Sequence, residues 1–432
     1  MLYSKELKQK YEVDVFVAGG GASGVAAAVA AARCEKTVFL AEAGGCFGGV
    51  GTTGLVPAFA PFDDGVNVLA SGIGLEIRKN VSKNIPLNRY WCPIKVEELK
   101  SEYDRIVVDA GVRFSFFTNV VDVIADGDRI ESVVLSSKSG LFTIKAKVYI
   151  DCTGDGDLCA FAGGRFEKGD ENGNVMPPTL CSLWANVDFS VAKKEFSDDS
   201  QLERAISDGV FSKEDRHLPG MFAADSGRGI GGGNIGHTFG VDPTDETSLT
   251  AAMLEGRRIL PEYERYYKTY LHGYENMTLC TTANMLGVRE SRRITCDYTL
   301  NVNDFVGKSV FEDEIGRYCY PVDIHVMNTD KKEYERFAKE YTDMRYKAGE
   351  SYGIPYRSLV PVSFSNVLVA GRCIGTDRQM QASVRVMPGC FITGRAAGAA
   401  ASAAAETGDT RSVRTEVLKA RLKKLGAFLP NA

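Results

Sequence analysis

VDVFVAGGGASGVAAAVAAAR, residues Val13–Arg33, is the stretch that decides the fold. Val13–Ala18 is a short, mostly apolar run of the kind that forms a buried strand. Gly19-Gly20-Gly21 breaks it, and the alanine-rich stretch that follows to Arg33 has the composition of a helix. Strand, tight turn and helix in that order, with glycines spaced G-x-G-x-x-G, form a dinucleotide-binding fingerprint. Each glycine has a physical reason. Gly19 permits the turn, Gly21 lets a pyrophosphate approach the backbone, and Gly24 lets helix and strand pack closely. Free N–H groups of the first turn, around Ala22 and Ser23, then meet the phosphate charge. Thr37–Ala41 predicts the next strand, with Glu42 at its end, 18 residues after Gly24, followed by Ala43. A carboxylate there accepts hydrogen bonds from ribose hydroxyls and disfavours a 2′-phosphate. Nicotinamide and flavin dinucleotides share this adenosine half, so the fingerprint does not choose between them.

Outward from this unit, helices are predicted at Leu69–Lys79 and Val96–Ala110, the latter closed by Gly111. Three β-rich stretches follow, Phe114–Ala125, Arg129–Ser136 and Phe142–Cys152, the first two joined by an Asp126-Gly127 turn. They read as a β-meander. From about 171 to 351 the pattern changes. Strands are expected at Leu180–Val187, Arg293–Leu300 and Ile315–Val322, and charged helices at Ser248–Leu271 and Lys331–Tyr346. This stretch reads as an inserted α+β substrate domain, residues 171–351, inside a discontinuous dinucleotide domain, residues 1–170 and 352–432. In the second part, Asn366–Ala370 is a short buried strand. Pro388–Ala405 is a small-residue helix with Pro in its first turn, and Arg411–Gly426 is a final amphipathic helix. The fold class is therefore α/β: a Rossmann-like domain with a central parallel sheet and β-meander, plus the inserted domain.

The chain has 432 residues, enough for two or three units of about 150. With 51 Lys and Arg against 56 Asp and Glu, the net charge of −5 gives no basic footprint for nucleic acid or an anionic membrane. A small-molecule substrate is favoured. The longest uncharged run, Val15–Ala32, is interrupted by glycines and is short of the roughly 20 apolar residues of a spanning helix, so no membrane segment is expected. The N-terminus enters a strand pattern without the basic-then-apolar order of a secretion signal, and a cytoplasmic protein is expected. Eleven cysteines without Cys-x-x-Cys fit reduced thiols. No zinc-type His/Cys spacing occurs, and no metal is expected.

Further segments carry a resemblance. CFGGVGTTG (Cys46–Gly54) follows Glu42, and IDCTGDGD (Ile150–Asp157) ends a strand. Later come NVLVAGRCIG (Asn366–Gly375), SVRVMPGC (Ser383–Cys390) and TGRAAG (Thr393–Gly398). Together these are similar to the FAD-binding segments of glutathione-reductase-like flavoproteins, and the chain resembles the FAD-dependent oxidoreductases, relatives of the fumarate reductase and succinate dehydrogenase flavoproteins. LGVRESRR (Leu286–Arg293) and IPYRSL (Ile354–Leu359) look like family segments as well. The resemblance implies noncovalent FAD. It implies cofactor contacts from Gly48, Gly49 and Thr53, from Thr153, Gly154 and Asp155, and from Arg372. It places Val120 near adenine, Gly371 near the ribityl–phosphate part, and Arg385, Val386 and Met387 at the isoalloxazine edge. The start of the Pro388 helix also suits the negative charge of a reduced flavin, an interaction of about 0.3–1 kcal/mol and up to about 2 when partly buried.

The reading for function is an oxidoreductase in which FAD exchanges a hydride with a small polar substrate of the hydroxy, keto or enoate type, at the interface of the two domains. Arg289, Arg292 and Arg293 crowd around Glu290. One arginine is expected to pair with Glu290, and Arg289 or Arg292 is then available to clamp a carboxylate or carbonyl; a purely structural ion-pair cluster is the alternative. Of the four histidines, His237, in the glycine-rich loop Gly227–Gly240, is the preferred acid–base group against the alternative of a surface-loop residue. His272 at a helix end and His325 beside a strand read as structural. GGGNIG (Gly231–Gly236) also fits G-x-G-x-x-G, but it follows no predicted strand and is read as a false match. No redox-active cysteine pair or second nucleotide domain is visible, so electrons would pass through transient NAD(P)H, a redox protein, oxygen or a second substrate. A flavin monooxygenase, an isoprenoid double-bond reductase and a non-catalytic nucleotide-binding protein stay open as rivals.

Overall fold

A computed structural model of the chain describes residues 4–431 apart from 5, 84, 88, 193–198, 219 and 343. The strand Lys8–Ala18 lies in the middle of the main sheet, parallel to Val38–Ala41 on one side and to Gly140–Asp151 on the other. Val15, Phe16, Val17 and Ala18 are wholly buried, as an uninterrupted apolar run requires when both faces of a parallel sheet are covered. Gly140–Asp151 is long enough to serve two neighbours. Its first half pairs antiparallel with Arg129–Ser137, which pairs with Asn119–Asp126 to complete the meander. Its last three residues pair parallel with Val367–Val369, so the late segment of the chain returns to the sheet beside the first.

The predicted strand Phe114–Ala125 is in fact two strands. Arg113–Ser115 pairs parallel with Val38–Ala41 at the far edge, and Asn119 begins the meander. Between them Phe117 adopts φ 53°, donates its N–H to Gly44 O (3.0 Å), and Thr118 donates to Glu42 O (2.9 Å). The break therefore fastens the loop over the end of the second strand.

Small residues are concentrated where two helices cross. Ala22–Arg33 packs against Met387–Ala404 so closely that a Cβ at Gly394 or Gly398 would lie 2.1 Å from the carbonyl oxygen of Ser23 or Ala27. This contact clamps the start of the first helix to the C-terminal part of the chain.

A second sheet runs in the order Gly220–Asp225, Ile230–Asn234, Ser182–Ala185, Thr278–Thr282. The long helix Glu246–Tyr270 packs on it, its N-terminus capped by Asp245, which accepts the Ser248 N–H at 2.7 Å. Trp184, Met221, Tyr263 and Met277 lie in this smaller core, drawn from residues 184–279; residues from Ala283 onward join the main core. The glycine-rich stretch expected to be a loop is a strand from Ile230 to Asn234. It needs glycine because both faces are crowded: a Cβ on Gly232 would come within 2.3 Å of Pro57, and one on Gly233 within 2.9 Å of Trp184 Nε1. No helix among the described residues is long and apolar enough to cross a membrane.

Candidate active site

One cavity of about 510 Å³ runs from the C-terminal ends of the main-sheet strands to the second sheet. At its first end stands the fingerprint turn. Gly19 has φ +87°, and a Cβ there would sit 2.6 Å from Cys152 O, so only glycine fits. A Cβ on Gly24 would lie 1.8 Å from Gly19 O, the close packing expected of the third glycine. Around a Cβ on Gly21, by contrast, nothing lies within 4 Å: the backbone there faces open cavity. The helix beginning at Ala22 has no side-chain cap and no acid in its first turn, so its leading N–H groups are left for a ligand. Glu42 accepts the N–H of Gly20 at 2.7 Å and of Gly44 at 2.6 Å. Burial raises its carboxyl pKa against the pull of those two donors.

The middle of the cavity is tied together by Arg372. Its Nε donates to Gly154 O (3.0 Å), Nη2 meets Asp155 Oδ1 (2.5 Å), and Nη1 reaches Val288 O. Beneath this loop the buried Asp151 accepts the N–H groups of Thr153 (3.1 Å) and Cys159 (2.9 Å), which shapes the turn. Further along lie Arg385, Val386 and Met387, at the uncapped start of the Met387–Ala404 helix.

The far end is polar; Arg289, Arg385 and His237 were expected from the sequence, whereas Asp215, His217, Asp323 and the cavity position of His325 were not. Arg289 is buried; its Nη1 donates to Pro177 O (2.8 Å) and Thr179 Oγ1 (3.0 Å), and its Nη2 to Asn234 Oδ1 (3.1 Å). Among the described residues no carboxylate lies within 4 Å of it. Burial and the neighbouring Arg385 charge lower its pKa to about 10. Arg385 meets Asp323 Oδ2 at 3.2 Å, and Tyr320 donates its hydroxyl to the same oxygen.

Behind this wall runs a buried chain of imidazoles and carboxylates. Asp215 accepts the backbone N–H of His237 (3.0 Å) and the Tyr263 hydroxyl (3.3 Å), and lies 2.9 Å from His237 Nδ1. His237 Nε2 is 2.9 Å from His325 Nδ1, and His325 Nε2 is 3.4 Å from Asp323 Oδ2. His217 stacks on His325 with ring centroids 3.9 Å apart. Burial, the neighbouring His237 and Arg289 push His217 down to about 4; burial, His217 and Arg289 hold His325 well below the usual imidazole range. Burial alone would raise Asp323, but His325 and Arg385 hold its carboxyl well below the usual range. Asp215 is likewise held down, against burial, by His237.

Most of the expected cofactor residues line this one cavity: Gly19, Gly21, Ala22, Ser23, Glu42 and Ala43, then Gly48, Gly49 and Val120, then Thr153, Gly154, Asp155 and Arg372, and finally Arg385, Val386 and Met387. Gly24, Thr53 and Gly371 stand behind the wall. Gly371 (φ +84°) faces Ser23, whose Oγ a Cβ would meet at 2.6 Å. Arg289 lines the cavity; Arg292 does not, being held by Asp155 O (3.1 Å) and Asp157 Oδ1 (2.8 Å). Glu290 pairs with Arg293 (3.0 Å), as expected, and also with Arg378 (3.0 Å). His237 is buried, which counts against the surface-loop alternative, but it does not itself line the cavity, meeting Asp215 on one side and His325 on the other. His325, read as structural, lines the cavity with His217. The ligand atoms of His217, Asp323 and His325 lie within 4.8 Å of one another, a grouping no sequence spacing announced.

A sequence model of the family described as FAD dependent oxidoreductase matches residues 14–422. Thiamine thiazole synthase of Methanococcus aeolicus is 29% identical over 188 residues, which cover 40% of this chain and 66% of that protein. Among solved structures, a geranylgeranyl bacteriochlorophyll reductase-like protein from Thermoplasma acidophilum aligns over 96% of this chain and 83% of its own, at 11% identity and a TM-score of 0.48. The p-nitrophenol 4-monooxygenase of Pseudomonas putida DLL-E4 aligns over 96% and 84%, at 13% identity and a TM-score of 0.47.

Proposed function

The chain belongs to the FAD-dependent oxidoreductases, an enzyme family, and from that premise we propose that it exchanges a hydride between FAD and a small organic acid anchored by Arg289. The residues fit the cofactor. Open space over Gly21 beside an uncapped helix start suits a pyrophosphate, and Glu42 at the end of the second strand suits a ribose diol. Bound FAD supplies the redox chemistry; the protein has to orient a substrate and manage a proton.

The observation that carries the substrate class is Arg289. Its hydrogen-bond acceptors are all neutral, and the carboxylates of Asp323 and Asp215 act on it only through space, so this buried guanidinium lacks a directly paired counter-charge, which is costly. A substrate carboxylate supplies that charge, in the fork geometry that arginine offers. Arg385, engaged with Asp323, adds positive potential on the same side. Arg292 is better assigned to bracing the Asp155 loop. His325 lines the substrate end of the cavity, and His237 and Asp215 position it.

Anaerobic mixing of the FAD-loaded protein with hydroxy, keto and enoate acids, each beside its methyl ester, tests this reading. One acid should change the flavin spectrum, bleaching oxidised protein or reoxidising reduced protein, and its ester should act far more slowly. Equal rates for acid and ester would remove the carboxylate anchor from the account.

A further inference from the structure

We propose that His217, His325 and Asp323 form a binding site for one divalent transition-metal ion at the far end of the flavin cavity. With His237 neutral, the contacts impose the hydrogen positions along the imidazole chain. Asp215 is an acceptor, so the 2.9 Å contact to His237 requires the proton on His237 Nδ1. In neutral His237 that leaves Nε2 as an acceptor, and the 2.9 Å contact to His325 then requires the proton on His325 Nδ1. His325 Nε2 is left with a bare lone pair. It faces Asp323 Oδ2 at 3.4 Å, an acceptor opposite an acceptor. A cation between them resolves the conflict.

Three further observations support an ion there. The ring nitrogens of His217, stacked on His325, have no hydrogen-bond partner among the described residues. Arg385 and Tyr320 both engage Asp323 Oδ2, and no hydrogen bond reaches Oδ1 among the described residues. The chain from His325 through His237 to Asp215 is the outer support that metal-bound imidazoles have, with the second ring nitrogen fixed as a donor.

The dimensions agree. Bonds of about 2.1 Å put two ligand atoms on one ion about 3.0–4.2 Å apart. The three ligand atoms already lie within 4.8 Å, so His217 has only to tilt out of its stack. Two imidazoles and one carboxylate suit ions such as Fe²⁺, Co²⁺ or Zn²⁺ over Mg²⁺ or Ca²⁺, with coordination positions left open. Such an ion would take up the hydroxyl or carbonyl oxygen of the substrate as a Lewis acid while Arg289 holds the carboxylate. This role rests on the function proposed above; the site itself rests on the side chains alone.

Calorimetric titration of chelator-treated, FAD-loaded protein with Co²⁺ alone, under argon, tests it without any organic substrate. Cys280, the exposed cysteine, is replaced by serine throughout so that it does not compete. One ion should bind per chain, with Mg²⁺ unable to displace it. His325→Ala and Asp323→Asn should each abolish stoichiometric binding, and His237→Ala should weaken it about 10–100-fold. Flavin content and the unfolding midpoint report whether each variant is folded. His217→Gln, which breaks no side-chain hydrogen bond, should lose affinity in a folded protein even where the others do not fold. No binding to the parent, or equal affinity in parent and variants, would overturn the site. Because no acid is present, failure here leaves the carboxylate reading untouched, and failure of the acid and ester comparison leaves this site untouched.

Discussion

His237 Nε2 lies 2.9 Å from His325 Nδ1, with Asp215 behind the first ring and the flavin cavity in front of the second. With His237 neutral, the buried carboxylate sets the tautomer of a cavity-facing imidazole two side chains away. In metal-free protein labelled with ¹⁵N histidine, the Nδ1 of both rings should carry the proton and His325 Nε2 should show the shift of a bare nitrogen. A protonated His325 Nε2 in the neutral ring would reverse the direction of the chain.

Glu42 bridges the fingerprint turn and the glycine-rich extension through Gly20 and Gly44, and it lines the cavity. Glu42→Ala should weaken FAD retention about 10–100-fold, since a hydrogen bond to a charged group contributes about 1.5–3 kcal/mol. Flavin content after gel filtration and the fluorescence of released FAD measure it. Unchanged retention would remove the ribose contact from the account.

The two small-residue helices meet without room for a methyl group. Gly394→Ala places a carbon 2.1 Å from the Ser23 carbonyl, which only a shift of backbone can relieve. The cost should be at least the about 1–3 kcal/mol typical of overpacking, read from urea unfolding. FAD affinity should fall too, because the displaced turn holds the phosphate-facing N–H groups.

Asp157, beside the FAD loop, has its carboxyl pKa raised from 3.8 to about 6 by burial and by the charges of Asp155 and Asp151, against the pull of Arg292. The folded state therefore binds this proton more tightly than the unfolded chain. The contribution is fully present below 3.8 and is lost as pH rises through about 6. Across that window the apoprotein should lose stability relative to Asp157→Asn, as followed by paired thermal melts. Parallel curves would mean that the residue titrates normally.

The fingerprint end of the cavity was legible in the sequence because its requirements are local. Gly19, Gly24 and Glu42 answer to steric and hydrogen-bonding demands within one strand–turn–helix unit, and a fixed spacing records them. The segments at Thr153 and Arg385 could be placed only through resemblance, since the chain returns to the cavity after long excursions. The substrate end left no such record. Asp323 and His325 are neighbours in one segment, but His217 comes from a distant one, and a sequence carries no spacing rule for groups that only tertiary packing brings together. Patterning failed in a different way at Ile230–Asn234. Glycine is rare in strands on propensity grounds, but here Pro57 and Trp184 crowd both faces and outweigh propensity. The run at Phe114–Ala125 is apolar enough for one strand, yet the Phe117 and Thr118 contacts to Gly44 and Glu42 break it in two.

The most direct test of the central claim is stopped-flow measurement of the flavin absorbance with the reactive acid, in the parent and in Arg289→Met, each carrying a full complement of FAD. The account predicts that Arg289→Met keeps its flavin and its fold, that the concentration of acid needed for half-maximal rate rises by about 10–100-fold, as the loss of a charged hydrogen bond implies, and that acid and ester become alike. An Arg289→Met protein that reacts with the acid at the parent rate and affinity would contradict it.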